Sequence, residues 1–308
     1  MLTKEQADSN IREIEIYGKK YRFYIYELGG NETFEQSDFE LYNLDGLSVI
    51  GDGECLDLCE IKDFSNIKLI ILSRYQYTSI DTLQTFCVLE HFTIFDLCDA
   101  PIPFDKFTKL RSARVNYEHK TRKKLFDNYN IEYLTLYHYK QKTYDAFAGL
   151  AKLKHLGLQQ CRVPDLDFLE FLPELRYLDL RYNRTLKSIR GIAQAKNLKG
   201  LSIHDCKNIE DWESLSQMRQ LKALRIEDCG EIPSLEFLSS LPELRILELI
   251  GNTKIMDGAL KSIVENKSLE VSSIEMYKHY NIEKSDRKKA FPPFAERNKL
   301  WESCNFYL

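Results

Sequence analysis

The sequence predicts an α/β solenoid, in which short coils stack side by side, share one curved parallel inner sheet and carry short helices or turns on the convex side. The first observation is a repeated pattern, LxxLxL, in which L stands for any apolar residue and x for any residue. It occurs eleven times, and successive copies begin 21 to 25 residues apart. The second is the ninth residue of the clearest copies, which is Asn or Cys. A constant period of about 20–29 residues is typical of repeat proteins whose coils bury their apolar edges against one another. We therefore expect about ten or eleven coils.

The copies start at Leu44, Ile67, Leu89, Leu110, Ile131, Leu153, Leu175, Leu198, Leu221, Leu244 and Leu269. Five match best: LKHLGLQQC, LRYLDLRYN, LKGLSIHDC, LKALRIEDC and LRILELIGN, which cover Leu153–Cys161, Leu175–Asn183, Leu198–Cys206, Leu221–Cys229 and Leu244–Asn252. Side chains alternate along a strand, so positions 4 and 6 face the core while positions 3, 5 and 7 face outward. We expect the ninth residue to turn inward, where an Asn amide satisfies backbone groups and a Cys packs as a small hydrophobe.

This pattern resembles the leucine-rich-repeat superfamily over roughly Leu44 to Ile274. The preceding LxxLxxL runs, such as Leu166, Leu169 and Leu172, are similar to those of its subclass with repeats of about 22 residues, and the resemblance implies short helical turns on the convex side. The copies that begin at Leu89 and Leu110 lack Asn or Cys at position nine.

Both ends of such a stack need caps. We expect residues 1–43 to form an N-terminal cap, with a hairpin over Ile11–Leu28 that turns at Tyr17-Gly18-Lys19-Lys20 and covers the first coil. Residues 44–283 form the repeats, with a helix opening at Asp257–Leu260 and a last coil at Leu269–Tyr277. Residues 284–308 form a C-terminal cap or tail, rich in aromatic residues.

The segment Thr253–Tyr280 resembles the terminal segment of certain bacterial leucine-rich-repeat proteins. Some of those proteins are thought to act as immunity or partner-binding proteins beside toxin genes. The resemblance therefore implies neutralisation of a toxin as one specific form of protein binding.

Composition narrows the class of protein. The chain has 308 residues, 29% of them charged, and a formal net charge of −4, so nothing favours bulk attraction to nucleic acid or membrane lipid. The N-terminus has no apolar signal region and no run reaches the ~18 apolar residues of a membrane span. Three of the eight cysteines, Cys161, Cys206 and Cys229, occupy inward ninth positions. We expect reduced thiols, a cytoplasmic location and a monomer.

Function is expected on the concave face, where repeat proteins bind their partners. The outward positions of the coils, including position 8, are rich in Tyr and His in the middle and acidic towards the C-terminus. Positions outside the binding prediction are His91, Phe95, Tyr117, His138 and Glu275. The predicted partner-binding residues are Tyr133, Tyr137, His155, Tyr177, Asp179, Arg181, Tyr182, His204, Asp205, Arg225, Glu227, Asp228 and Glu248. Aromatic residues and Arg anchor protein interfaces, although Tyr and His also suit a merely solvated sheet.

Equivalent positions of neighbouring coils lie side by side, so we expect Arg225 to meet Glu248, and Arg181, His204 and Glu227 to form a ladder. By the same register, Asp205 and Asp228 adjoin each other without an evident internal partner. We therefore expect a protein partner with a basic patch.

Catalysis is not expected, because the sequence has no HExxH motif, paired CxxC, phosphate-binding loop or nucleophile elbow. We expect no cofactor and no metal, since side chains on an open sheet point in parallel and rarely converge on an ion. The basic run 119–124 is expected to be a solvated surface. Two alternatives remain: a regulatory subunit of a phosphatase-like enzyme, and a receptor for a glycan or another small ligand.

Overall fold

The structure is a computed structural model that describes residues 2–28, 34–51, 55–61, 66–73, 76–95, 101–117 and 120–282. The chain divides into two compact units, with the boundary between His138 and Tyr139. Among the described helices, none has the length and apolar character needed to cross a lipid bilayer. The predicted C-terminal tail, residues 284–308, lies outside the described residues.

The first unit begins with helix α1, whose N-terminus is capped reciprocally by the side chains of Thr3 and Gln6. Its helices and strands are α1 Lys4–Asn10, β1 Ile11–Ile16, β2 Lys19–Leu28, α2 Gln36–Leu41, β3 Gly46–Gly51, β4 Cys55–Asp57, β5 Leu69–Leu72, β6 Gln76–Ser79, β7 His91–Ile94, β8 Ser112–Asn116 and β9 Tyr133–Tyr137. The connections between its strands include the 3-10 helices Leu58–Glu60, Asp81–Thr85, Phe104–Lys106 and Lys120–Asp127.

Strands β1 and β2 form the predicted antiparallel hairpin, and β2 pairs in parallel with β3. Parallel pairing then continues from β3 through β5, β7 and β8 to β9, while β4 and β6 form a separate two-stranded sheet. The hairpin therefore extends the main sheet of this unit beyond the first coil.

The second unit repeats the same coil more regularly. Its helices and strands are β10 His155–Gln159, β11 Tyr177–Arg181, β12 Gly200–His204, β13 Ala223–Glu227, β14 Gly230–Ile232, β15 Ile246–Ile250, β16 Thr253–Ile255, α3 Lys261–Glu265 and β17 Val271–Ile274. The 3-10 helices are Asp145–Leu150, Asp167–Phe171, Arg190–Gln194, Trp212–Gln217 and Glu236–Ser240. The six long strands β10, β11, β12, β13, β15 and β17 pair in parallel in chain order. The short strands β14 and β16 form a separate two-stranded sheet.

The register of the main sheet follows the sequence period. In each of the eleven coils the strand begins two residues after the first apolar residue of LxxLxL. Because the register places Leu178 beside Leu201 and Leu201 beside Leu224, identical positions stack from coil to coil. These leucines are at most 1% exposed, and burial of such aligned side chains provides the core. The predicted α/β solenoid of leucine-rich repeats is confirmed.

The ninth position holds the coils together through backbone groups. The Asn183 amide donates from Nδ2 to Leu158 O at 2.9 Å, and its Oδ1 accepts from Cys161 N at 2.9 Å. Cys206 and Cys229 occupy the same place in the next two coils, and their thiols donate to Leu180 O and Ile203 O. Burial raises the pKa of both thiols to about 12. All five cysteines among the described side chains are free thiols.

The tenth coil departs from the predicted pattern. We expected Asn252 to turn inward, but Asn252 is exposed and Thr253 occupies the buried place. The Thr253 hydroxyl donates to Ile226 O and accepts from Cys229 N, which are equivalent to the partners of Asn183 three coils earlier. This coil has one extra residue between Leu244 and its inward residue, so the ninth residue is Asn252 and the inward residue Thr253 is the tenth.

Candidate functional site

We define the open face of each unit as the side of the main sheet that carries positions 3, 5 and 7 of the coils. Positions 4 and 6 of the same strands are buried in the core, as in β11, where Leu178 and Leu180 alternate with Tyr177, Asp179 and Arg181. The predicted partner-binding residues at positions 3, 5 and 7 therefore lie on the open faces. Tyr133 and Tyr137 belong to the first unit and the others to the second.

Position 8 ends the strand with a left-handed backbone. The φ angle lies between 52° and 57° at five such residues, His138, Gln160, Tyr182, Asp205 and Asp228. The amide of this residue still donates to the next coil, as Tyr182 N does to His204 O at 2.9 Å. A left-handed conformation is unfavourable for most residues other than Gly, Asn and Asp. The side chain at position 8 thus leaves the strand alternation at a conformational cost.

The open face of the first unit is partly covered by the hairpin. The ring of Tyr17, in the hairpin turn, stacks on Tyr133 with centroids 3.2 Å apart and planes 15° apart. Tyr17 also hydrogen-bonds the Ser112 side chain, and its burial raises the pKa of its phenol. The predicted binding residue Tyr133 is therefore already in contact with another part of the chain.

Next to this stack, four side chains form a connected polar network. Lys19 Nζ lies 2.7 Å from Glu90 Oε2, which also accepts from the Tyr21 hydroxyl at 2.7 Å. The same hydroxyl lies 2.7 Å from Nε2 of His91. His91 is 7% exposed, and its burial lowers its pKa to about 4. His91 was expected to be an outward residue, but it lies beneath the hairpin.

We expected the hairpin to cover the first coil, but its end reaches across the open face as far as β9. Strand β2 has ten residues, and its pairing with β3 starts at Phe23 and Gly46, so Lys19–Arg22 project past the start of β3. The projecting end contacts β7, β8 and β9. Sequence reasoning missed Tyr17, Lys19, Tyr21 and Glu90. The alternation of Lys19 and Tyr21 along the hairpin strand was the signal that could have shown a shared aromatic and basic face.

Beyond the hairpin, the open face of the first unit presents Phe95 and Tyr137 at position 7. Phe95 is 39% exposed, its ring lies 5.5 Å from that of Tyr137, and the Arg114 guanidinium lies 5.9 Å from it. Tyr117 was expected on this face, but it is buried against Phe126. Tyr117 occupies position 8 without the left-handed φ of its equivalents, which explains its inward direction.

In the second unit, most charges on the open face are paired within the chain. Arg225 donates to Glu248, which confirms the predicted pair between neighbouring coils. Arg181 adjoins His204 in the predicted register, and His204 adjoins Glu227. The charge of Arg181, however, is matched along its own strand by Asp179, at 2.8 Å.

The expectation that Asp205 and Asp228 have no internal partner is wrong. Asp205 Oδ1 lies 2.9 Å from Nζ of Lys207, and this hydrogen bond raises the pKa of Lys207. Asp228 Oδ1 accepts from the backbone amide of Asn252 at 2.8 Å. The turn after position 8 brings both donors back towards the strand end, and the linear pattern does not show this return.

Three side chains at the ends of β12 and β13 converge. Potential ligand atoms of His204, Glu227 and Asp228 all lie within 4.8 Å of one another. Asp228 Oδ2 is 3.7 Å from Nε2 of His204, and the Tyr182 ring lies 5.0 Å from the His204 ring. Side chains on the open sheet do converge at this place, because left-handed Asp228 turns towards the preceding strand.

The remaining predicted residues differ in accessibility. Tyr182 is 38% exposed, whereas His155 and Glu248 are 8% and 6% exposed. The ring of His155 lies 6.2 Å from that of the half-buried Tyr177. The predicted residues along β11–β13 that are at least partly accessible include Tyr177, Arg181, Tyr182, His204, Asp205, Glu227 and Asp228. The basic run is described only in part, and Lys124 in it pairs with Asp105 at 3.1 Å.

Comparison with known proteins identifies the fold through structure alone. No family model matches the sequence, and no curated protein matches it. A crystal structure of an internalin from Listeria monocytogenes, InlF, matches with a TM-score of 0.55 and 15% identity, over 80% of this chain and 73% of that one. Internalin C2 from the same species matches with a TM-score of 0.51 and 22% identity, over 63% and 84%. At these identities the likeness shows the fold alone, and it agrees with the leucine-rich-repeat coils described in each unit.

Proposed function

We propose that this chain is a non-enzymatic module that binds a protein partner on the open face of its second unit. The partner would place a basic group against the strand ends of β12 and β13. Leucine-rich-repeat folds offer a broad, rigid sheet whose side chains need little ordering on binding, which favours protein recognition.

The observation that carries the proposal is the distribution of unpaired charge. On this face Arg181 pairs with Asp179, Arg225 with Glu248, and Lys207 with Asp205. Glu227 makes no ion pair among the described residues, and the nearest potential counter-charge to Asp228 is the imidazole of His204 at 3.7 Å. Two carboxylates therefore remain without a full counter-charge, which is the complement of a basic side chain.

An aromatic side chain borders these carboxylates. Tyr182 is 38% exposed and its ring lies 5.0 Å from that of His204, whereas Tyr177 lies at the other end of the same strand. Tyr is enriched at the energetic centres of protein interfaces because it combines apolar area with a polar tip. A Lys or Arg that binds Glu227 and Asp228 could pack its aliphatic stem on Tyr182.

A charge-reversal pull-down tests this proposal. Tagged parent chain and the variant Glu227→Lys, Asp228→Lys are incubated with lysate of the native cell, with chelator present to remove metal ions. The matched control, Glu213→Lys, Glu243→Lys, makes the same change of net charge at exposed residues outside the open face. We expect one stoichiometric protein with the parent and the control, and its loss from the first variant. Equal recovery with all three chains would reject the open face as the binding surface.

Neutralisation of a bacterial toxin is the more specific form of this proposal, and a cytoplasmic location is part of it. It is supported by the resemblance of Thr253–Tyr280 to immunity-like proteins, and the free thiols suit a reducing compartment. Co-expression with the product of the neighbouring gene tests it. Restored growth with the parent but not with Glu227→Lys, Asp228→Lys is expected. A neighbouring product that is not toxic would reject the toxin version and leave the binding proposal to the pull-down.

A further inference from the structure

We propose that His204, Glu227 and Asp228 bind one divalent transition-metal ion of the Zn²⁺, Co²⁺ and Ni²⁺ class. This inference goes beyond the proposed function and does not rest on it. The three residues offer one imidazole nitrogen and two carboxylate oxygens within 4.8 Å of one another. One nitrogen with oxygen ligands suits borderline metals better than Ca²⁺ or Mg²⁺, which prefer oxygen ligands alone.

The backbone places the ligands on one side of the sheet. His204 and Glu227 are register partners at position 7 of neighbouring parallel strands, so their side chains leave the sheet in the same direction. Asp228 follows at position 8 with a φ of 53°, which turns its carboxylate towards His204. Three ligands then approach from two strands and a turn, and the side away from the sheet remains open for water or another ligand.

A separate feature, outside these three residues, holds the Asp228 carboxylate in place. In the next coil position 8 is Gly251, with a φ of 63°, and a Cβ there would lie 2.4 Å from Asp228 Oδ1. The Asp228 carboxylate thus occupies space that the Cβ of any residue other than glycine at position 251 would fill. The Asn252 amide donates to the same oxygen at 2.8 Å, so Oδ2 is the atom that faces His204. Such outer contacts orient metal ligands in known sites.

The preceding coil provides an internal comparison. Asp205 also occupies position 8 with a left-handed φ of 52°, but the next coil has Asp228 rather than Gly at the equivalent place. The Asp205 carboxylate pairs with Lys207 at 2.9 Å and takes no part in the converging group. Left-handed geometry alone therefore does not create the cluster, and Asp228 differs from Asp205 in having the open space over Gly251 beside it.

The charge of the three-residue group also favours binding of a divalent cation. The two carboxylates of Glu227 and Asp228 give the group a net negative charge, and the neighbouring Lys207 is already paired with Asp205. A metal ion would cancel this charge, so occupancy is expected to weaken binding of a basic partner to the same residues.

The test uses the metal alone. Purified full-length chain is titrated with Zn²⁺ by calorimetry and with Co²⁺ by visible absorption, in the parent and in His204→Gln, Glu227→Gln and Asp228→Asn. We expect one ion per chain at this site, with affinity about tenfold or more lower in each variant. The matched control Asp205→Asn, one coil away, should retain parental affinity. Thermal melting of the metal-free chains verifies that all variants are folded.

Three results would overturn the proposal: no binding by the parent, parental affinity in all three ligand variants, or a Co²⁺ spectrum with a thiolate charge-transfer band, which would assign the ion to cysteine. Gly251→Ala adds a positioning test, because it keeps all three ligand residues in the sequence yet should lower metal affinity by displacing the Asp228 carboxylate. Since the partner pull-down is done with chelator, absence of metal binding and absence of a partner are separate results.

Discussion

The rings of Tyr17 and Tyr133 stack face to face although 116 residues separate them in the chain, with centroids 3.2 Å apart. One ring lies in the hairpin turn and the other begins the fifth coil strand of the first unit. This contact fixes the projecting end of the hairpin across the open face and covers a residue that the sequence assigned to partner binding.

Replacing Tyr17 by alanine should free the end of the hairpin. The variant loses a stacked pair and the hydrogen bond to Ser112, so amide hydrogen exchange over residues 15–22 should accelerate by about tenfold or more. Exchange in the second unit should not change. Tyr129→Ala, at an exposed tyrosine of the same unit, is the control. Unchanged exchange in the hairpin would show that the stack does not hold it.

Acid should destabilise the first unit through His91. Its pKa is about 4 when folded against an ordinary value of 6.5, because burial disfavours the imidazolium. The unfolded chain therefore binds an extra proton between these values, so stability falls as the pH drops from 6.5 towards 4, by about 3 kcal/mol at most.

Denaturant unfolding at a series of pH values checks this dependence. His91→Gln has no imidazole to titrate and should lose less stability over the same interval, whereas His279→Gln, at an exposed histidine, should keep the parental dependence. A parental profile in His91→Gln would assign the pH dependence to other groups.

Substitutions at the ninth position should separate the contribution of buried hydrogen bonds to stability from that of side-chain packing. Asn183→Leu leaves Leu158 O and Cys161 N without their buried partner and should cost about 2–4 kcal/mol in urea unfolding. Asn183→Cys should cost less, since Cys206 and Cys229 occupy the equivalent place and donate to the same class of carbonyl. Equal losses in the two variants would mean that the hydrogen bonds of Asn183 contribute nothing beyond packing.

Thiol reactivity should follow burial. Cys206 and Cys229 are buried with pKa values of about 12, so few thiolates form at pH 8, whereas Cys87 is exposed. Brief alkylation followed by peptide mass mapping should label Cys87 and leave the two buried thiols unmodified. In denaturant all three should react. Early labelling of Cys206 or Cys229 in the folded chain would show that the coils open readily.

The sequence predicted the repeats well because the pattern is local. Eleven starts of LxxLxL placed eleven strands, each two residues later, since stacking forces the same alternation on every coil. The one misplaced inward residue, Asn252 in place of Thr253, arose from a single inserted residue that leaves the apolar pattern intact.

The candidate site was harder to predict because its geometry depends on contacts between coils. Their positions in the repeat identified His204, Glu227 and Asp228 as outward, but their convergence involves a left-handed φ and a glycine 23 residues after Asp228. Likewise, the pairing of Asp205 with Lys207 and the position of Tyr17 over Tyr133 follow from how the chain turns and how far a strand projects. Neither quantity is encoded in an apolar period.

The five left-handed residues at position 8 also bear on how this protein can change. Each conformation costs roughly 1–2 kcal/mol relative to glycine in the folded chain, yet His, Gln, Tyr and Asp occupy these places. Glycine would avoid this cost. In the second unit, Gln160, Tyr182, Asp205 and Asp228 therefore form a row of side chains at the strand ends whose identity the apolar core does not dictate. New specificities could be selected in this row without disturbing a single leucine of the core.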